Sequence, residues 1–93
     1  MNTKDKIKKA AALTYNLGDT APKITALGRG ETADRIISTA EKSNIPIYKD
    51  ERLANTLLDF EIGSEIPPEL YEVVAEILVF ISNIDKFKEL RDE

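Results

Sequence analysis

Cysteine and histidine are both absent from this chain of 93 residues, and their absence excludes several classes of chemistry. The chain offers no thiolate or imidazole ligand for zinc, and it has no Ser-His-Asp or Cys-His arrangement for nucleophilic catalysis. It also lacks an imidazole that could act as a general base near neutral pH, and it forms no disulfide. The fold must therefore rest on packing and hydrogen bonds.

Long hydrophobic runs are absent as well. The longest uninterrupted apolar run is residues 77–81, far short of the ~20 residues that cross a bilayer, and no secretory signal pattern is present. The composition is 42% apolar and 32% charged, which is typical of one globular domain. We therefore expect a cytoplasmic protein that does not span a membrane.

Basic charge is scarce over the second half of the chain, although the formal net charge is only −4. Residues 50–76 carry eight acidic side chains and one arginine, whereas residues 1–10 carry four lysines and one aspartate. An acidic half repels a phosphate backbone, so the charge distribution argues against nucleic acid as a partner. Residues 1–8 are expected to form a basic N-terminal arm.

Turn residues and changes of period divide the first half of the chain into short elements. Residues 16–22 contain Gly, Asp and Pro and predict a hairpin loop, which is followed by an alternating strand over residues 23–27. Over residues 31–43 the apolar positions follow the helical period, and Asn44 is a typical left-handed stop. Residues 45–48 are apolar and too few for a helix, so they predict a further strand.

The second half predicts two helices joined by an extended segment. Asp50 is placed to cap the first of these helices, and residues 60–63 form either a short strand or an extended connection. Pro67 and Pro68 open the longest helix, since proline suits a first helical turn. At the N-terminus, the composition of residues 4–17 favours a helix, while their alternation permits a strand.

A glycine motif lies between the predicted strand and the helix that follows it. Gly28, Gly30 and Ala33 have the G-x-G-x-x-A spacing of a phosphate-binding turn, and Asp50 follows Gly30 by 20 residues, about where a ribose-binding acid is expected. The chain has room for only one β-α-β unit, however, whereas a dinucleotide fold needs further parallel strands. The simpler interpretation, which we favour, is that both glycines only shape a tight turn.

One apolar residue of the long helix lies among polar positions. Val79 falls on the polar side of the helical wheel, between Glu72, Glu76 and Asn83. A single exposed apolar residue is common, so Val79 is only a weak indication of a partner surface.

Several segments, in the same order and with compatible spacing, resemble the cytoplasmic C-terminal domain of the flagellar biosynthetic protein FlhB and its type III secretion relatives. The resemblance covers roughly residues 9–85, and residues 86–93 are left as a charged helix end. The matching segments are AAALTY (10–15), APKITALGRG (21–30), IPI (45–47), LANTLL (53–58) and EIGSEIPPELYEVVAEIL (61–78).

The resemblance implies an α/β (α+β) domain, in which helices surround a small mixed β-sheet of about four strands. Residues 10–15 are then a strand, and the element order is β-β-α-β-α-(β)-α. The family has the same Gly-x-Gly turn without a known cofactor, so the resemblance implies no cofactor here.

The sequence also departs from the family. Members carry an Asn-Pro-Thr-His motif before the first strand and cleave themselves after its asparagine, but the aligned residues here are Asp5, Lys6, Ile7 and Lys8. Without the amide nucleophile we expect no self-cleavage at these positions. The four membrane helices of the family are also missing from this sequence, so we expect a free-standing, non-cleaving version of the domain.

The resemblance implies a non-enzymatic interaction module of flagellar or type III protein export, which docks substrates or switches specificity. Its partners would be components of the export apparatus or export substrates. Ala21, Pro22 and Lys23 match the export-related segment of the family and are the expected partner-binding residues, while Lys6, Lys8 and Lys9 could add electrostatic steering. The alternative is a small nucleotide- or phosphate-binding domain that uses Gly28, Gly30 and Asp50.

Overall fold

A computed structural model describes residues 7–16 and 18–92, with side chains as far as residue 81. Strands β1 (Lys9–Thr14) and β2 (Lys23–Arg29) come first. They are followed by helices α1 (Glu31–Lys42) and α2 (Glu51–Leu57). A 3-10 turn (Pro68–Leu70) then leads directly into helix α3 (Tyr71–Asp92). The mixed α and β class is therefore confirmed.

The two strands form an antiparallel hairpin. Lys9 lies opposite Arg29 and Ala12 lies opposite Ala26, with an irregularity in the register after Ala12. The predicted hairpin loop is confirmed, and its first turn is fixed by a bond from the Asp19 backbone N–H to the Asn16 carbonyl (2.9 Å). Residues 9–14 are thus a strand, as the resemblance implied, because pairing with β2 outweighs the helical propensity of the alanines.

The prediction of about four strands is wrong, because the described residues form a sheet of only two. Residues 45–48 have no strand pairing within the described part of the chain, and the side chains of Ile45 and Ile47 are exposed. Residues 60–63 form a bend and a turn and no strand, and Gly63 in the turn has a φ of +96°. An apolar, β-branched segment becomes a strand only if an adjacent strand edge is available to pair with it.

The segment after Gly63 comes nearest to a third strand. The Gly63 N–H donates to the Ile24 carbonyl (2.7 Å), and the Ile24 N–H donates to the Ser64 carbonyl (2.8 Å). Next to these bonds, a single antiparallel bridge joins Lys23 to Glu65. These contacts hold the segment before α3 against the start of β2.

Local interactions set the C-terminal end of α1 and the N-terminal end of α2, as predicted. Asn44 has a φ of +59°, and the Ile45 N–H reaches back to the Ala40 carbonyl (2.8 Å), so α1 ends in a left-handed residue. Asp50 caps α2, because its Oδ1 accepts a hydrogen bond from the Leu53 N–H (3.0 Å).

The core lies between the hairpin, α2 and the first turns of α3. Its centre is formed by four buried side chains from these elements and from the segment before α3: Ile24, Leu57, Ile66 and Val74. Half-buried apolar side chains surround this centre, among them Leu13, Leu27, Phe60, Leu70 and Leu78. Ile24 is completely buried, so the start of β2 is the best packed part of the sheet.

Candidate functional site

A cleft of about 210 Å³ opens beside the hairpin loop, between the start of β2 and α3. It combines residues from the end of β1, the loop, the segment before α3, and α3 itself. The lining residues are Tyr15, Thr20, Ala21, Pro22, Ile66, Tyr71, Val74, Ala75 and Leu78.

Buried small and apolar residues form the floor of the cleft. Ala21 and Pro22 are both buried, and the Pro22 carbonyl accepts a hydrogen bond from the Ile66 N–H (3.0 Å). This bond joins the end of the loop to the segment before α3. The floor is therefore held by a backbone hydrogen bond as well as by packing.

One face of α3 forms the opposite wall. Tyr71, Val74, Ala75 and Leu78 follow the spacing i, i+3, i+4 and i+7, which places them on one side of a helix. Val74 is buried in the core, whereas Ala75 is exposed. The small side chain of Ala75 leaves the cleft open at a position where a larger residue would close it.

The rim of the cleft carries hydroxyl groups. Tyr15 is 52% exposed and Tyr71 is 41% exposed, and Thr20 is exposed beside them. The site therefore has an apolar interior and polar groups at its mouth. Pockets for small molecules usually exceed about 300 Å³, so this cleft is better matched in size to one large apolar side chain.

The structure brings two of the three predicted partner-binding residues to this cleft. Ala21 and Pro22 line it, whereas Lys23 is exposed at the start of β2 and is not part of the lining. Sequence reasoning did not identify Tyr15, Tyr71 and Ala75 as site residues. The sequence places Tyr71 and Ala75 four residues apart, on one face of a helix. It does not show which face of α3 meets the loop.

The glycine motif lies away from this cleft, and contacts within the chain account for both of its glycines. A Cβ on Gly28 would lie 2.4 Å from Thr32 Cγ2 and 2.9 Å from Thr32 Cβ, so the strand and α1 approach each other too closely for a side chain. Gly30 has a φ of +59°, and its N–H donates to the Lys8 carbonyl (2.8 Å). Both glycines therefore have structural roles in the turn into α1.

The groups around this turn do not favour a phosphate. Glu31 and Asp34 lie in the first turn of α1, where their negative charge opposes an anion at the helix N-terminus. Asp50 already accepts a hydrogen bond from its own helix α2. The acidic first turn of α1 and the capping role of Asp50 therefore argue against the nucleotide alternative.

The positions aligned with the cleavage motif are only partly described. Asp5 and Lys6 lie outside the described residues, and Ile7 is 61% exposed. The Lys8 ammonium forms an exposed ion pair with Asp34, at 3.1 Å. This ion pair and the hydrogen bond from the Gly30 N–H to the Lys8 carbonyl hold Lys8 at the start of α1. The ion pair itself adds little stability, because both side chains are exposed to water.

Comparison with known proteins identifies the relatives of this chain. The model of the FlhB HrpN YscU SpaS Family matches residues 7–81. A curated protein of Bacillus subtilis, "Uncharacterized protein YlqH", is 40% identical over 87 residues, which covers 92% of this chain and 94% of that protein. The flagellar biosynthetic protein FlhB of Aquifex aeolicus is 40% identical over 74 residues, or 77% of this chain.

The chain spans only about a fifth of the FlhB proteins, 21% in the case of Aquifex aeolicus. In solved structures, the crystal structure of a mutated EscU C-terminal domain matches with a TM-score of 0.77 and 30% identity. That match covers 81% of this chain and 93% of the EscU domain. Within the described residues, no helix combines the length and the apolar character needed to cross a membrane.

Proposed function

Because the chain belongs to the FlhB, HrpN, YscU and SpaS family, we propose that it serves flagellar or type III protein export in the cytoplasm as a docking domain without a catalytic step. The observation that supports this proposal most directly is the cleft, in which Ala21 and Pro22 form the floor and α3 forms the wall. The absence of Cys and His from the chain agrees with a role that depends on surface complementarity.

We propose that the cleft receives one large apolar side chain of an export substrate. Ala21, Ile66 and Val74 are each no more than 2% exposed, so the occupant would lie against already packed atoms. Burying a Leu- or Phe-sized side chain contributes about 1.5–3 kcal/mol, equivalent to roughly 10- to 150-fold in affinity. The hydroxyls of Tyr15 and Tyr71 at the rim would orient the backbone of the bound segment.

A variant that fills the cleft tests this proposal. Ala75→Trp places an indole in the space, and because Ala75 is exposed the substitution removes no core contact. We expect the dissociation constant for purified flagellar export substrates, measured by fluorescence titration, to rise at least about tenfold. Circular dichroism checks that the variant remains folded.

Thr39→Trp is the matched control, because it adds the same side chain at an exposed position of α1 outside the cleft. It should bind the substrates like the unmodified chain. Equal binding by Ala75→Trp and the unmodified chain would show that the cleft is not the docking site. If the unmodified chain binds no export substrate, substrate docking itself is wrong.

A cellular test addresses how the domain acts in export. The chain is produced in cells whose membrane-embedded FlhB lacks its C-terminal part, and secreted flagellar protein is measured. Restored export that Ala75→Trp abolishes would support replacement of the missing domain by this chain. Absence of any restored export would exclude replacement and leave docking to be judged by the titration.

A further inference from the structure

The cleft beside the hairpin loop has an acidic border. Its lining comes from two stretches of the chain, residues 15–22 and residues 66–78. These stretches contain no lysine or arginine, and their four acidic residues are Asp19, Glu69, Glu72 and Glu76. The three glutamates are exposed and Asp19 is half-buried. Every charged side chain that these two stretches carry is therefore negative.

Two of the four carboxylates belong to residues next to the lining on opposite sides of the cleft. Glu72 follows Tyr71 and lies three residues before Ala75, so it shares a face of α3 with a lining residue. On the loop side, Asp19 precedes Thr20, and its Oδ2 accepts a hydrogen bond from the Asn16 N–H (2.9 Å). The mouth of the cleft is thus bordered by one carboxylate on the loop and another on the helix.

Lys23, which follows Pro22, does not neutralise this border. Successive side chains of a strand point to opposite faces, and the next residue, Ile24, is buried in the same core as the lining residues Ile66 and Val74. Lys23 is therefore exposed on the other face of the sheet. Glu65 lies opposite it across the antiparallel bridge, so these two charges offset one another.

The aromatic rings at the mouth also favour a cation. Tyr15 is 52% exposed and Tyr71 is 41% exposed. The face of an exposed aromatic ring attracts the ammonium of a lysine or the guanidinium of an arginine. The interior of the cleft therefore suits an apolar group, while the rings and carboxylates around it suit positively charged groups.

From this arrangement, and resting on the docking function proposed above, we infer that the segment bound in the cleft carries lysine or arginine beside its apolar residue. The apolar side chain enters the cleft, and the cationic side chains next to it face Asp19, Glu72 and the two tyrosine rings. A segment with acidic residues beside its apolar residue meets like charge at the same border. Charge therefore selects basic segments among those that offer a suitable apolar side chain.

Three synthetic peptides of equal length test this inference. Each has one central phenylalanine, which is flanked on both sides by lysines, by glutamines or by glutamates. Nuclear magnetic resonance titration of the full chain gives the dissociation constant of each peptide from the backbone signals of the cleft residues. We expect the lysine peptide to bind about three- to tenfold more tightly than the glutamine peptide, since each exposed ion pair contributes roughly two- to fivefold.

The glutamate peptide should bind more weakly than the glutamine peptide. These differences should shrink when the ionic strength is raised from about 0.01 M to about 0.15 M, because the Debye length falls from about 30 Å to about 8 Å.

A double variant identifies the carboxylates responsible. Asp19→Asn/Glu72→Gln removes both charges and keeps a side-chain oxygen that can accept the Asn16 N–H. It should reduce the preference for the lysine peptide over the glutamine peptide to less than about twofold. Glu41→Gln/Asp59→Asn is the matched control, because it removes two exposed carboxylates outside the lining and changes the net charge equally. The control should keep the preference.

The outcomes separate this inference from the docking function. Equal affinity for the three peptides, with binding lost when alanine replaces the central phenylalanine, overturns the inference and leaves the docking site in place. A preference that the control weakens as much as Asp19→Asn/Glu72→Gln also overturns it, because the net charge of the chain is then the cause. If export substrates occupy the cleft and the lysine peptide does not, the inference is wrong; if neither occupies it, the docking function is wrong as well.

Discussion

Replacing Gly28 with alanine should destabilise the fold through one well-defined collision. Gly28 is buried on β2, and an added Cβ would lie 2.4 Å from Thr32 Cγ2, 2.9 Å from Thr32 Cβ and 3.1 Å from the Ala33 backbone nitrogen. Rotation of Thr32 can move only the first of these atoms. The other two belong to the first turn of α1, so the helix has to move away from the sheet.

The magnitude follows from two opposing effects. Overpacking of this kind costs about 1–3 kcal/mol. The φ of Gly28 is not in the left-handed region. Alanine therefore also reduces the entropy of the unfolded chain, which raises the free energy of unfolding by about 0.4–1 kcal/mol. We expect a net loss of about 1–2 kcal/mol in the free energy of unfolding, with a fall in Tm of about 4–8 °C per kcal/mol for a domain of this size.

Urea unfolding of the single variants and of the double variant Gly28→Ala/Thr32→Ala measures this effect. Thr32→Ala removes Cγ2 and should recover part of the loss, while the contacts with the Thr32 Cβ position and the Ala33 nitrogen remain. Unchanged stability of Gly28→Ala would refute the argument. Equal losses with and without Thr32 Cγ2 would show that the collision with this atom does not contribute to the cost.

Two further predictions concern the helix cap and the N-terminal segment. Asp50→Ala should lower the free energy of unfolding by about 1 kcal/mol because α2 loses its side-chain cap. Asp59→Ala is the control, because it removes an exposed carboxylate just after α2 and keeps the backbone N–H that bonds to the Thr56 carbonyl, so it should change the stability little. Equal urea midpoints for the two variants would contradict the capping role. Mass spectrometry after long incubation should show one intact chain, since residues 5–8 lack the asparagine amide of the self-cleaving relatives; a pair of fragments divided within these residues would contradict this expectation.

Most elements could be predicted because local chemistry specifies them. Asp50 and Asn44 mark helix ends by interactions with backbone groups a few residues away, and these interactions depend little on the rest of the fold. The loop before β2 was equally clear from its Gly, Asp and Pro. For β1 local propensity favoured the wrong state, and only the family resemblance gave the strand.

The strand prediction for residues 45–48 failed for a tertiary reason. Ile45, Ile47 and Tyr48 are typical of a strand, but a strand also needs a paired neighbour, and within the described residues this segment pairs with neither β1 nor β2. The three side chains are therefore left on the surface, where the Tyr48 ring lies against the Phe80 ring.

The sequence by itself determined what chemistry is excluded, through the missing Cys and His, and it determined the family, through the order of its segments. Only the tertiary structure decided where the surfaces are. Ala21 and Ala75 are 54 positions apart in the chain, and they line one cleft because the Ile66 backbone fixes the loop beside α3. Which face of a helix meets a loop depends on how the whole core packs, and no local pattern of residues contains that information.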